Sequence, residues 1–216
     1  MERSPAGAVV IDLAGRWLLP GLIDAHEHLR DLEQARAIVA SGVTTVRSLH
    51  SDHFIDVGIR ELHRSGMSDL PDVLASGYMI RPDMSALDGF FLDFPELAIL
   101  IKGRLRGPDN LKKVVQPNVR HGVNVIMILA TERGGTPESD PRRQTFTEDD
   151  MAAIVTEARV ANLPVAAHAH GDEGAAAAIR SGVRTIEHGS FLSDATLDMM
   201  KERGTCLLPL LSKLAG

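Results

Sequence analysis

Five of the nine histidines fall in three short clusters. Asp24-Ala25-His26-Glu27-His28 closes the apolar run Leu18-Leu19-Pro20-Gly21-Leu22-Ile23. Ala166-Ala167-His168-Ala169-His170-Gly171 follows Leu163-Pro164-Val165, and Ile186-Glu187-His188-Gly189 ends a third apolar stretch. Side chains alternate along a strand, so His26 and His28 share one face. Two imidazoles there can share a divalent metal through bonds of ~2.0–2.1 Å. One such pair could equally cap a strand with polar groups. Histidine at three strand ends is a pattern that chance seldom produces, and a metal needs ligands converging from separate strands. The three clusters together are therefore read as a candidate metal site. His170 either shares the face of His168 or opens the next loop and faces a substrate. His50, His53, His63 and His121 are read as surface or loop histidines.

The elements that must position these clusters follow a strand–loop–helix rhythm. Strands are predicted over residues 18–25, 43–49, 72–76, 123–130, 164–168, 185–188 and 205–210. Helices are predicted over 32–41, 54–65, 109–121, 148–162, 173–181 and 194–203. Met151, Ile154, Val155 and Ala158 fall at i, i+3, i+4 and i+7, one face of a helix. Thr147 before Asp149 and Asp150 reads as its N-cap with an acidic first turn. Gly42, Gly122, Gly182 and Gly204 each stand between a helix and a strand, where glycine supplies the left-handed residue that ends a helix. Strands alternating with helices imply a parallel sheet under helical cover. Two architectures fit: a (β/α)8-type barrel or an open doubly wound sheet. The second lacks a Gly-x-Gly-x-x-Gly fingerprint after its first strand, which weakens a nucleotide-binding reading. The longest irregular stretches, 79–108 and 132–146, follow strands, where a barrel keeps its active-site loops.

Composition narrows the class. The chain has 216 residues, 23 Lys+Arg against 29 Asp+Glu, and a formal net charge of −6. With 44% hydrophobic residues it can bury a core, and it is not a disordered chain. No basic run marks a nucleic-acid or membrane-surface binder. Aromatics, at 4%, are too few for a base-stacking platform. Cys206 is the only cysteine, so an intrachain disulfide framework and a cysteine-built zinc finger are excluded. No apolar run approaches the ~20 residues of a membrane span. Met1-Glu2-Arg3-Ser4-Pro5 lacks the apolar core of a signal peptide. The expectation is a cytoplasmic chain without nucleic-acid or membrane partners.

Val10-Ile11-Asp12-Leu13-Ala14-Gly15-Arg16 followed by Leu18-Leu19-Pro20-Gly21-Leu22-Ile23-Asp24-Ala25-His26 resembles the opening of the amidohydrolase superfamily. The segments around His168 and His188, and Ala130-Thr131-Glu132-Arg133-Gly134-Gly135-Thr136-Pro137, resemble its imidazolonepropionase/prolidase-like branch. Three separated motifs in order, from about residue 9 onward, make the likeness specific. It implies a TIM-type barrel in which His26, His28, His168 and His188 hold one or two divalent ions, usually zinc. It also implies water activated by metal for attack on an amide or ester carbonyl.

Three departures from that family stand out. Its strand-four lysine, carbamylated to bridge two metals, is matched here by Met127, a thioether that cannot be carbamylated and suits core packing. One ion, zinc first, is therefore expected rather than two. The strand-eight aspartate has no counterpart before Gly216, and a full barrel typically takes ~250 residues. Of the family's accessory β-sandwich, only residues 1–17 look like a remnant. The fold expected is α/β: an incomplete (β/α)8 TIM-type barrel of about seven strands over residues 18–216.

Other charged groups are weighed beside these. Asp24 shares the face of His26 and His28 and is a candidate partner for a ligand histidine. Glu27 and Glu187 are expected to point away. Glu132 is a candidate catalytic residue in the substrate loop, or else a solvated charge. His170 is a candidate to orient substrate or its developing oxyanion. Arg142 and Arg143 could fork a substrate carboxylate, or form a surface turn. Cys206 reads as buried packing. The function expected is a metal-dependent hydrolase of an amide or peptide-like C–N bond in a small molecule. The alternative is a catalytically impaired fragment that self-associates to cover open strand edges.

Overall fold

The computed structural model describes Pro5 and residues 7–84, 89–101, 105–135 and 137–210. The expectations placed on residues 1–4, on Thr136 and on residues 211–216 lie outside these. In chain order the elements are β1 (Leu22–Glu27), α1 (Leu32–Ala40), β2 (Val43–Ser48), α2 (Ile55–Arg64), β3 (Asp72–Leu74), α3 (Phe90–Asp93) and α4 (Pro108–Arg120). They continue with β4 (Ile126–Leu129), α5 (Glu148–Val160), β5 (Val165–Gly171), α6 (Asp172–Ser181), β6 (Thr185–Phe191), α7 (Asp194–Arg203) and β7 (Cys206–Leu208).

Every pairing between these strands is parallel, in the orders β1-β2-β3 and β4-β5-β6-β7. The two arcs join where the chain after β3 runs beside β4. There the Ile80 amide donates to the Met127 carbonyl at 2.8 Å, and the Leu129 amide donates to the Ile80 carbonyl at 2.9 Å. Among the described residues the result is the expected incomplete barrel of seven parallel strands, with its helices outside.

Strand β4 shows why this packing is stable. Ile126 and Ile128 face outward into the main core, among Val114, Ile154, Val155 and Ala167. Val125, just before the strand, Met127 and Leu129 alternate inward and meet Leu49 just past β2, Met79 beyond β3 and Ala166 on β5. Both faces are buried, so the strand carries apolar residues at every position. The helix ends follow the sequence signals. Thr147 and Asp150 form a reciprocal capping box at the start of α5. Gly182 and Gly204 end α6 and α7 at φ +94° and +67°, a region costly for any residue with a Cβ.

Three expectations are corrected. The first strand begins at Leu22 rather than at residue 18. Its first bond to β2 runs from the Leu22 amide to the Gly42 carbonyl, and β2 starts only at Val43. Residues 18–21 therefore have no β2 backbone opposite them, and Trp17, Leu18 and Leu19 stand exposed. The stretch 79–108 is not wholly irregular. Phe90 and Phe94 bury their rings in the main core and support α3, which a 3₁₀ turn follows. Cys206 is exposed, because β7 is the last strand of its arc and has a neighbour on one side only.

Candidate metal centre

All the histidine clusters sit at the C-terminal ends of their strands, on one side of the barrel: His26 and His28 on and just after β1, His168 and His170 on β5, His188 on β6. That is the face where such barrels carry their chemistry. His168, His170 and His188 each offer a ring nitrogen, and these atoms lie within 4.8 Å of one another. The His188 ring is 4.4 Å from that of His168, 4.5 Å from that of His170 and 5.0 Å from that of His26. The His26 and His28 rings are 5.2 Å apart. His170, expected on the substrate side, thus stands as close to His188 as His168 does. Its Nδ1 is 2.8 Å from the Ser190 hydroxyl.

Alternation places His168 and His170 on one face of β5, as read from the sequence, but β6 breaks the rule. His188 has φ +75° and Gly189 φ +63°. The β5 register advances from Ala169 to Gly171 while β6 advances from His188 to Phe191, so β6 carries a bulge there. Glu187 keeps its place inside the barrel, and the left-handed turn at His188 brings that ring to the same site. A non-glycine residue held at such a φ is strained, and such strain gathers at functional sites.

This corrects two sequence expectations. Glu187 does not point away: it is fully buried, and its Oε2 lies 2.9 Å from His26 Nδ1. Asp24 is not the ring partner; its Oδ1 accepts the His26 backbone amide at 3.0 Å. Glu27 does turn toward α1, accepting from the His28 amide and the Gln34 side chain.

The electrostatics suit metal donors. Burial, followed by the neighbouring His26 and His50, pulls His28 down to about 3. Burial, then His188 and His170, holds His168 well below the ordinary imidazole range. Both rings are therefore neutral at pH 7, with a lone pair available. Nδ1 of His28 and Nε2 of His168 are buried with no hydrogen-bond partner among the described residues. An orphaned buried donor or acceptor costs free energy unless something satisfies it. Neutral imidazoles with orphaned nitrogens, gathered at one strand-end face, fit a divalent ion of the zinc type.

The loop after β4 carries the other candidates. The Glu132 carboxylate accepts from Arg143 at 3.1–3.2 Å and from the Asp140 amide. The Arg142 guanidinium lies 3.8 Å from the centre of the Phe191 ring. A Cβ added at Gly171 would lie 2.5 Å from the Arg142 carbonyl oxygen, so the loop backbone rests directly on the end of β5. Met127 is buried in the apolar cluster below.

Sequence reasoning missed His50, whose ring is 6.1 Å from that of His28 and whose Nδ1 accepts the Met79 amide. It also missed Arg81 and Arg133, whose charges reach this face. Burial and then the Arg133 charge depress Arg81, and Arg133 contributes to the lowering of His28, His50 and His168. No spacing signal marks these residues; only the folded strand ends bring them together.

A parallel barrel with histidines converging at its strand ends defines a class of metal-site barrel, and comparison with known proteins narrows it. The sequence matches the amidohydrolase family over residues 17–214. The chain belongs to that family. It is 32% identical over 98 residues to an ochratoxinase from Aspergillus niger, covering 45% of this chain and 20% of that protein. A prolidase solved with N-methylphosphonate-L-proline superposes with a TM-score of 0.80 at 26% identity, covering 98% of this chain and 58% of the other. A Xaa-Pro dipeptidase solved with methionine in its active site gives 0.70 at 28%, covering 89% and 53%. The chain thus spans about a fifth of the curated relative and little more than half of these structures.

Proposed function

We propose that this chain carries the metal-binding strand ends of a hydrolase that cleaves an amide or peptide-like C–N bond in a small molecule. The observation that carries the reading is the cluster of ring nitrogens on His168, His170 and His188, with a neutral, orphaned nitrogen on His168 and a second on His28 at the same barrel face. The names of the relatives, a prolidase, a Xaa-Pro dipeptidase and an ochratoxinase, support a peptide-like substrate. His26, His28, His168 and His188 would hold one divalent ion, zinc first. Such an ion, when bound, supplies a water with a pKa near ~7 and polarises a carbonyl.

The residues of the chain do the rest. A hydrogen bond to the Glu132 backbone occupies the other nitrogen of His168 and leaves Nε2 as its lone pair. The contact to Ser190 steadies the His170 ring, which is proposed to orient the substrate carbonyl. Glu132, just past β4, is the proposed catalytic carboxylate of the loop, held in place by Arg143 and the Asp140 amide. Arg142 and Arg143 already serve the structure of the loop, so neither is assigned to substrate.

The test is elemental analysis of protein purified without chelator or metal-affinity tag, then a panel of Xaa-Pro dipeptides and acyl-amino acids. About one ion per chain is expected, with hydrolysis that stops on chelation and returns with zinc or manganese. Absence of metal after incubation with zinc would overturn the reading.

A second reading, a catalytically silent chain that self-associates, draws on the exposed apolar strip Trp17, Leu18, Leu19, Leu22 and Ile23. Such strips seek cover. It predicts a dimer or larger species by light scattering; a monodisperse monomer would sink it.

A further inference from the structure

Glu187 is a charged group wholly enclosed beside the histidines. Its Oε1 accepts from the Arg47 guanidinium at 2.7 Å and from the Thr185 hydroxyl at 2.5 Å. Its Oε2 faces His26 Nδ1 at 2.9 Å. Arg47 is itself held from β2 by the Ala25 carbonyl at 2.8 Å, so the carboxylate is pinned from three strands. A carboxylate only accepts hydrogen bonds. The proton in the contact therefore sits on His26 Nδ1, which in the neutral ring leaves the lone pair on Nε2.

We infer that Glu187 is a positioning residue that locks His26 in the Nδ1–H tautomer and so presents Nε2 as a donor for a divalent ion. A carboxylate behind a ligand histidine fixes both the tautomer and the ring orientation. The inference rests on the metal-site reading above. Arg47 gives it direction. Because Arg47 and Thr185 both donate to Oε1, any isostere at position 187 must keep its oxygen on their side. Glutamine there turns its amide N–H toward His26. Nδ1 then has to accept, the ring proton moves to Nε2, and the donor is lost without any change of volume.

The experiment uses the full chain, metal-free, with ¹⁵N-labelled histidine. Long-range ¹H–¹⁵N spectra report the tautomer, and loss of a signal in His26→Gln assigns it. The expected result is Nδ1–H for His26 in the parent protein and Nε2–H in Glu187→Gln. Cobalt(II), titrated by calorimetry, is expected to bind ~10–100-fold more weakly to Glu187→Gln, with partial recovery in Glu187→Asp. Nε2–H in the parent protein overturns the inference, whether or not the variant folds. So does a folded Glu187→Gln that binds cobalt like the parent. A parent that binds no cobalt fails differently: it removes the metal-site reading, while the tautomer measurement still decides whether Glu187 sets the ring.

Discussion

Replacing His168 with alanine is expected to take bound zinc from about one ion per chain to none, and hydrolysis down by at least ~10³-fold. His168 sits between β4 and β6, its ring 4.4 Å from that of His188 and 4.8 Å from that of His170. No other described residue on β5 beneath it offers a donor: Val165, Ala166 and Ala167 are apolar and buried. The lost ring leaves a small cavity at a buried position, costing on the order of 1–3 kcal/mol of stability. That cost is read from melts of the metal-free proteins. Comparing metal-free with zinc-loaded melts separates it from the metal effect, because zinc should raise the Tm of the parent and leave His168→Ala unmoved. A variant that keeps its zinc and its turnover would remove His168 from the site.

The second large effect is expected below the histidines, at Met127. Lysine there would enter the cluster of Leu49, Met79, Val125, Leu129 and Ala166, in which Met127 is only 1% exposed. None of those side chains offers a hydrogen bond, so the lysine must deprotonate or drag water inward. Fully buried lysines shift by roughly 3–5 pK units, which at neutral pH costs about 4–5 kcal/mol because the free group titrates only ~3.4 units higher. That is comparable with the whole stability of a typical domain. Met127→Lys is therefore expected to lower the urea midpoint sharply or to prevent folding. Met127→Leu, of similar volume, should cost less than ~1.5 kcal/mol. If Met127→Lys folded as well as the parent and bound two ions per chain, the restriction to one metal would fall.

The fold was legible wherever local chemistry and periodicity agreed. The face of α5, its Thr147 cap and the glycines ending α6 and α7 are short-range signals, and they reappear as the helix layer. The histidine clusters were legible because each closes an apolar run; β5 keeps its alternation through His168 and His170, whereas β1 slips register against β2 between Asp24 and Glu27. Glu187 was not, because the same rule was applied to β6, where His188 at φ +75° turns the chain. The glycine after His188 was the one local hint of that bulge. Arg47, His50 and Arg81 were illegible for another reason. Each lies on an element remote in sequence from the partner that gives it meaning, Glu187, His28 and Arg133 respectively. Leu18 and Leu19 misled in the opposite sense: an apolar run looks like a strand whether or not a neighbour stands opposite.

The close seat of the Arg142 backbone on Gly171 has an evolutionary consequence. Position 171 has no room for even a methyl group while that loop path is kept, although its own φ of −83° would suit any residue. The segment over residues 132–146 and the end of β5 therefore drift together. A loop recombined from a relative is inherited intact only with the glycine it rests on, and a lineage that loses the glycine must first reroute the loop. Diversification of the loop beside the histidines is gated by a residue that has no side chain of its own.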